Sequence, residues 1–322
     1  MTTQKTPPLA ISRTLRFWRW LSVSRTMSIV IIALLFPSGA AVYFFGYHAL
    51  MEIAVSVGAA IATEILARRL RGLPIALDGS SVVTALILAL SLPPTLPLWM
   101  TALGSFFAIA IAREAFGGLG QNVFNPAMAG RAFLQIAFPI NMGKFIYPTG
   151  FNFPNAFTYA SPLSGGSVQQ TVAWDPYQTM LLGHTSGSLG ETSELLILAG
   201  GLLLIATRVI DWRSPVTYIG TVALLGFALG ANPASQLLSG GLMLGAFFVV
   251  TDYVTAPFTR WGKVIFCFGA GIITVVIRQF GSLPEGVCFS VLIMNSVTPL
   301  IDRYVRVRPL SLKRLKNEVR SA

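Results

Sequence analysis

MSIVIIALLFPSGAAVYFFGY at residues 27–47 is followed, after a single histidine, by ALMEIAVSVGAAIATEILA at 49–67 and then RRLR at 68–71. A hydrocarbon core of about 30 Å needs roughly twenty apolar residues per helix. Each of the two runs is long enough to cross it, and the basic tetrad behind them has the form of a topology signal. Read outward from this pair, the chain offers further candidate spans at about 80–95, 98–115, 125–141, 195–210, 215–231, 237–253, 262–279 and 285–302. The expectation is an all-α membrane protein of about ten transmembrane helices.

Composition agrees. Of 322 residues, 54% are hydrophobic and 11% charged, whereas a soluble domain carries about 25% charged residues. Thirty glycines and nineteen prolines suit membrane helices that pack closely or break. The net charge of +11 would suggest nucleic acid in a soluble protein. Here the basic residues gather at the termini and in short loops, so no nucleic-acid partner is expected. Cys267 and Cys288 sit inside apolar runs, and His48 and His184 lack ligand spacing. No metal site and no catalytic dyad is expected from this chain alone.

With the N-terminus in the cytoplasm, Arg68–Arg71, Arg113, Arg208, Arg213, Arg260, Lys263 and the tail from Arg303 all fall on one side. Lys144 and Arg278 are the exceptions on the other side, so nearly every Lys and Arg falls inside, which satisfies the positive-inside rule for a multi-pass inner-membrane protein with both termini inside. The chain then divides into a basic N-terminus (1–26), a first five-helix repeat (27–141), an extracytoplasmic connection (142–194), a second five-helix repeat (195–302) and a basic tail (303–322). The halves resemble each other. REAFGGL at 113–119 and RQFGSL at 278–283 each precede a fifth span, and the glycines at Gly79 and Gly240 precede these arginines by 34 and 38 residues. Five is odd, so the halves would be inverted, with interrupted helices meeting near the midplane.

FGGLGQNVFNPAM at 116–128 is the most unusual stretch. Irregular backbone at membrane depth survives only where it is buried in protein or lines a cavity. Asn122 and Asn125 offer donors and acceptors suited to an amide-rich heterocycle or a hydrated ion; tight packing with asparagine caps is the alternative. Asp78 begins a capped helix start, DGSSVVT, and Asp252 closes span eight in VVTDYVTAP. A carboxylate at membrane depth is usually functional, and one at the interface is a solvated cap.

These stretches, with GSLGETS at 187–193, DWRSP at 211–215 and GGLMLGAFFVVTDYVTAP at 240–257, resemble the RnfD family of the Rnf complex. That family is related to the NqrB membrane component of the sodium-pumping NADH:quinone reductase. The resemblance runs in order from about residue 20 to Pro309. It implies a membrane subunit of an ion-motive ferredoxin:NAD oxidoreductase, not catalytic alone, that holds flavins and passes electrons beside membrane and peripheral partners bearing iron–sulfur clusters and flavins. Family members carry FMN as a phosphoester on the threonine of Asp-x-x-Ser-Gly-Ala-Thr-Pro-Leu, on the outer side. The matching stretch is NAFTYASPL at 155–163, which puts Ser161 at the acceptor position. Asn155 and Tyr159 depart from the motif. A second, noncovalent flavin, riboflavin in the family, would sit among Asn122, Asn125, Ser80, Thr84 and Arg131, with Glu191 a further cofactor-binding candidate and Asp252 the candidate for ion coupling. This chain has no cluster-ligating cysteine pattern, no GxGxxG and no P-loop, so nucleotide and cluster chemistry would belong to partners. The rival expectation is a flavin-free channel or secondary transporter for a small polar solute, since fold alone does not choose. A structural anchor for a redox partner is a third.

Overall fold

The computed structural model describes residues 23–74, 78–146, 148, 158–159, 181–183, 186–281 and 286–305. The first helix, α1 (Val23–Phe45), runs through Pro37. Gly46, at φ 65°, turns the chain directly into α2 (Tyr47–Leu70), whose last turn carries Arg68 and Arg69, where cations complement the helix dipole. Next come α3 (Ser80–Leu90) and α4 (Leu98–Phe106), the latter prolonged by a π-helical turn at Phe107–Ile111. After the glycine-rich loop, α5 (Pro126–Ala137) starts on Asn125, with proline at its first turn. A single turn, α6 (Pro139–Met142), leads to a two-residue antiparallel pairing of β1 (Phe145–Ile146) with β2 (Thr158–Tyr159).

The remaining elements are a 3₁₀ turn at Leu189–Glu191, α7 (Glu194–Ala206), α8 (Arg213–Ala228), α9 (Pro233–Leu237), α10 (Leu242–Leu244) with a π turn at Gly245–Val249, α11 (Arg260–Phe280) and α12 (Val287–Tyr304). Among the described residues, four segments are long and apolar enough to cross a membrane: Val23–Phe45, Tyr47–Leu70, Leu98–Phe116 and Arg260–Phe280; α3 and α7 are shorter apolar helices. The chain is an all-α, multi-pass membrane protein.

Several helices are shorter than their hydrophobic runs. The run expected at 80–95 stops being helical at Leu90, ahead of Pro93 and Pro94. The run at 125–141 breaks at Phe138, before Pro139. Beyond Leu237, the run at 237–253 is helical only across 242–249, because Gly240 and Gly241 take φ of 64° and 48°, a region only glycine enters freely. Helix α7 ends short of residue 210, where Arg208 adopts φ 57°.

The short elements occupy the centre. Every residue from Ala85 to Leu90 and from Leu242 to Val249 is buried. The long helices lie outside them and show large apolar side chains on their outer faces, among them Leu35, Leu224, Phe227 and Phe268. Water would penalise such a surface, and a bilayer accommodates it. Helix α1 packs on α7, α2 on α3 and α4, α8 on α11, and α5 on α12. Glycines permit the tightest approaches. A Cβ at Gly130 would stand 2.8 Å from the Gly104 carbonyl, and one at Gly200 would stand 2.5 Å from the Ala33 carbonyl.

Candidate functional site

The start of α3, the glycine-rich loop with the start of α5, and the turn after Val249 converge on one cleft. Its walls include Val83, Ile87, Leu204, Phe247 and Phe248, and its polar groups come from Ser80, Thr84, Arg113, Asn122, Asn125 and Asp252.

Each polar group is held by local geometry. The Asn125 Oδ1 caps α5 by accepting from the amides of Ala127 at 3.1 Å and Met128 at 3.2 Å. Its Nδ2 is thereby turned toward Asp252, 3.4 Å from Oδ2. Asp252 also accepts from the Thr255 hydroxyl at 2.9 Å and from the Val254 amide at 3.4 Å. Asn122 donates to the Phe124 carbonyl at 3.1 Å, while its Oδ1, buried at the cleft, has no partner. An unsatisfied buried acceptor is costly, on the order of 1–3 kcal/mol, and this oxygen is available to a donor. Thr84 returns its hydroxyl to the Ser80 carbonyl at 3.1 Å.

In the loop before α3, Asp78 accepts from both the Ser80 amide and hydroxyl. Burial opposes ionisation of its carboxyl. The Ser80 hydrogen bonds, with the charges of Arg113 and Arg68, outweigh that and hold it below its ordinary value.

The polar wall nearest this loop is braced from behind. Arg113, 1% exposed, donates to the Ser81 hydroxyl and, at 3.1 Å, to Glu64 Oε1. Ser81 donates to Glu64 Oε2 at 2.6 Å, Arg68 pairs with Glu64 at 2.7 Å, and Arg71 pairs with Glu114 at 2.8 Å. Breaking such a buried pair leaves an uncompensated charge and costs about 3–5 kcal/mol.

Of the residues singled out in the sequence, Ser80, Thr84, Asn122, Asn125 and Asp252 meet at the cleft. Arg131 is buried on α5 without lining it. Glu191 lies at the other end of α3, about 15 Å along an eleven-residue helix. There Gly190 abuts the Leu90 carbonyl and Glu191 accepts from the Ser188 amide at 3.1 Å. Ser161 lies outside the described residues. Arg113, read in the sequence as a topology and repeat marker, is the cleft residue whose role was missed; a cation at the end of an apolar run beside the glycine-rich loop was its available signal.

A bundle of apolar helices with short, broken helices at its centre, and a largely apolar cleft with a few convergent polar groups, defines a multi-pass membrane protein with a candidate binding cleft. The chain belongs to the NQR2, RnfD, RnfE family, which matches residues 17–311. It is 43% identical over 303 residues to the D subunit of the proton-translocating ferredoxin:NAD(+) oxidoreductase complex of Clostridium ljungdahlii, covering 88% of this chain and 91% of that one. It is 40% identical over 303 residues to the Na(+)-translocating counterpart of Acetobacterium woodii, covering 93% and 94%. With the D subunit of the ion-translocating oxidoreductase complex of Stutzerimonas stutzeri the identity is 40% over 324 residues, covering 89% and 92%.

Proposed function

We propose that this chain is the D subunit of an ion-translocating ferredoxin:NAD oxidoreductase of the Rnf type, a flavin-carrying part that passes electrons across the bacterial inner membrane and couples them to cation movement. In this reading the chain crosses ten times as two inverted five-helix halves, both termini are cytoplasmic, and iron–sulfur and flavin partners complete the electron path. The observation that supports it most is the cleft. A chain about 40% identical to subunits of such complexes brings Asn122, Asn125, Ser80 and Thr84 to one cleft beside Asp252.

The residues suit a flavin. The free Asn122 Oδ1 can accept from a ring imide, and Phe247 and Phe248 offer apolar contact to a flat heterocycle. The flavin, when bound, supplies the electron-transfer chemistry. The chain fixes its polar edge through Asn122, excludes water with the apolar wall, and keeps Arg113 immobile behind Ser81 and Glu64. Asp252, clamped by Asn125 and Thr255, holds a carboxylate where low dielectric makes a nearby cation sensitive to any change of charge in the cleft. Ser161 is the proposed attachment point for FMN, on the strength of the motif at 155–163.

Intact mass of the chain, expressed with its flavin-attaching machinery, tests the covalent part beside Ser161→Ala. One added FMN, lost in the variant, supports attachment; an unmodified wild-type mass removes it. Flavin released from the denatured chain tests the cleft, with Asn122→Ala expected to retain less. Solute flux through vesicles holding a flavin-free chain would instead identify a channel or transporter.

A further inference from the structure

Helices α2 and α4 run parallel and meet in four rungs, each joining residues 49 apart. Along α2 the positions are Glu52, Ser56, Ala60 and Glu64; facing them are Thr101 and Ser105 of α4, Ile109 of its π turn, and Arg113 two residues beyond that turn. Four-residue spacing keeps the α2 set on one helix face. In the first rung, Thr101 donates to Glu52 Oε1 at 3.4 Å, and Glu52 Oε2, in a residue with no exposed surface, has no partner. In the second, Ser56 gives its only proton to the Ala85 carbonyl at 2.9 Å. The 2.9 Å contact between the Ser56 and Ser105 hydroxyls therefore has Ser105 as donor. The third rung is apolar, with Ala60, Ile109 and Ala85 forming a buried cluster against Val57. The fourth is the Glu64–Arg113 pair at 3.1 Å.

A buried carboxyl with a free oxygen, no counter-cation among its contacts and a hydroxyl chain one turn away is not explained by packing; a leucine would serve packing better. The apolar third rung separates it, by about 18 Å of α2 from Glu52 to Glu64, from the charged rung that borders the cleft. We propose that this ladder is a gated proton path, with Glu52 taking up and releasing one proton through the Ser56–Ser105 pair and the Ala60–Ile109 rung acting as its barrier. The direct hydroxyl–hydroxyl bond suits a proton. A metal cation would need several oxygens opened around it.

The test uses the full-length chain in vesicles with an entrapped pH dye and an imposed potassium diffusion potential. Wild type is expected to be tight, Ile109→Ser to pass protons several-fold faster, and Ile109→Ser combined with Glu52→Gln to return to the wild-type rate. Ala60→Ser, which adds one hydroxyl from the facing helix, is expected to leak in the same Glu52-dependent way. If neither barrier variant leaks, or if the leak persists in Glu52→Gln, the proposal is overturned; a misfolded, generally leaky chain gives the latter result. The readout requires no flavin, so its failure is separable from failure of the proposed function.

Discussion

Asn125 carries two duties that a pair of substitutions can separate. Its Oδ1 caps α5 and its Nδ2 reaches Asp252. Asn125→Ala removes both, and loss of a cap costs about 1 kcal/mol, so the melting temperature in detergent falls. Serine caps about as well as asparagine but has no amide to offer Asp252. Asn125→Ser should therefore melt near wild type and still lose bound flavin. Wild-type flavin retention in the serine variant would show that the amide plays no part in the cleft. Asp78 gives a pH test with a defined sign. Its folded carboxyl lies below the ordinary value, so the stability it contributes is fully present above about pH 3.9. That contribution is lost only as pH falls through the lower, folded value. The melting difference between wild type and Asp78→Asn should stay constant from about pH 5 to pH 8 and close only in stronger acid; narrowing above that lower bound would contradict the hydrogen-bonded carboxylate.

At the scale of elements, glycine placement decides which helices touch. Gly130 on α5 faces the Gly104 backbone, and an added Cβ would also stand 3.0 Å from the Ala108 Cβ. Backbone cannot rotate away, so Gly130→Ala should destabilise by about 1–3 kcal/mol, the usual cost of overpacking. Gly58 on α2 has nothing within 4 Å of its added Cβ, and Gly58→Ala should hold or raise the melting temperature by the helix-propensity gain. Equal melting of the two variants would mean that α4 and α5 do not pack as closely as described. Spans such as α2 and α11 were legible in the sequence because unbroken apolar length has one interpretation. The short central elements were not. Hydropathy reports that 237–253 is apolar, but the positive φ of Gly240 and Gly241 and the π turn beyond them leave only eight helical residues after Leu237, at 242–249. Likewise the four-residue spacing of Glu52, Ser56, Ala60 and Glu64 is visible in the sequence, whereas its constant offset of 49 to α4 is a fact of packing. In the cleft, Asn122, Asn125 and Asp252 stood out because polar groups are conspicuous in apolar runs. Arg113 did not, since a basic residue at a helix end already has an explanation in topology.

For the molecule as a whole, the proposed orientation in the membrane rests on charge and can be read with thiols. Cys267 and Cys288 are both fully buried, so a membrane-impermeant maleimide should leave the native chain unlabelled and any introduced surface cysteine will report cleanly. Arg69, Lys144 and Arg213 are exposed, in or beside loops, and lie clear of the buried centre. With the N-terminus inside, three crossings separate Arg69 from Lys144 and a fourth returns the chain before Arg213. Lys144→Cys should be labelled in intact cells, while Arg69→Cys and Arg213→Cys should be labelled only after permeabilisation. The reverse pattern would invert the orientation and place the cleft near the outer surface. Labelling of Arg213→Cys on the side opposite to both Arg69→Cys and Lys144→Cys would mean that one of the short elements, α3 or α5, turns back within the bilayer instead of crossing, and the two halves would then have the same orientation, not opposite ones.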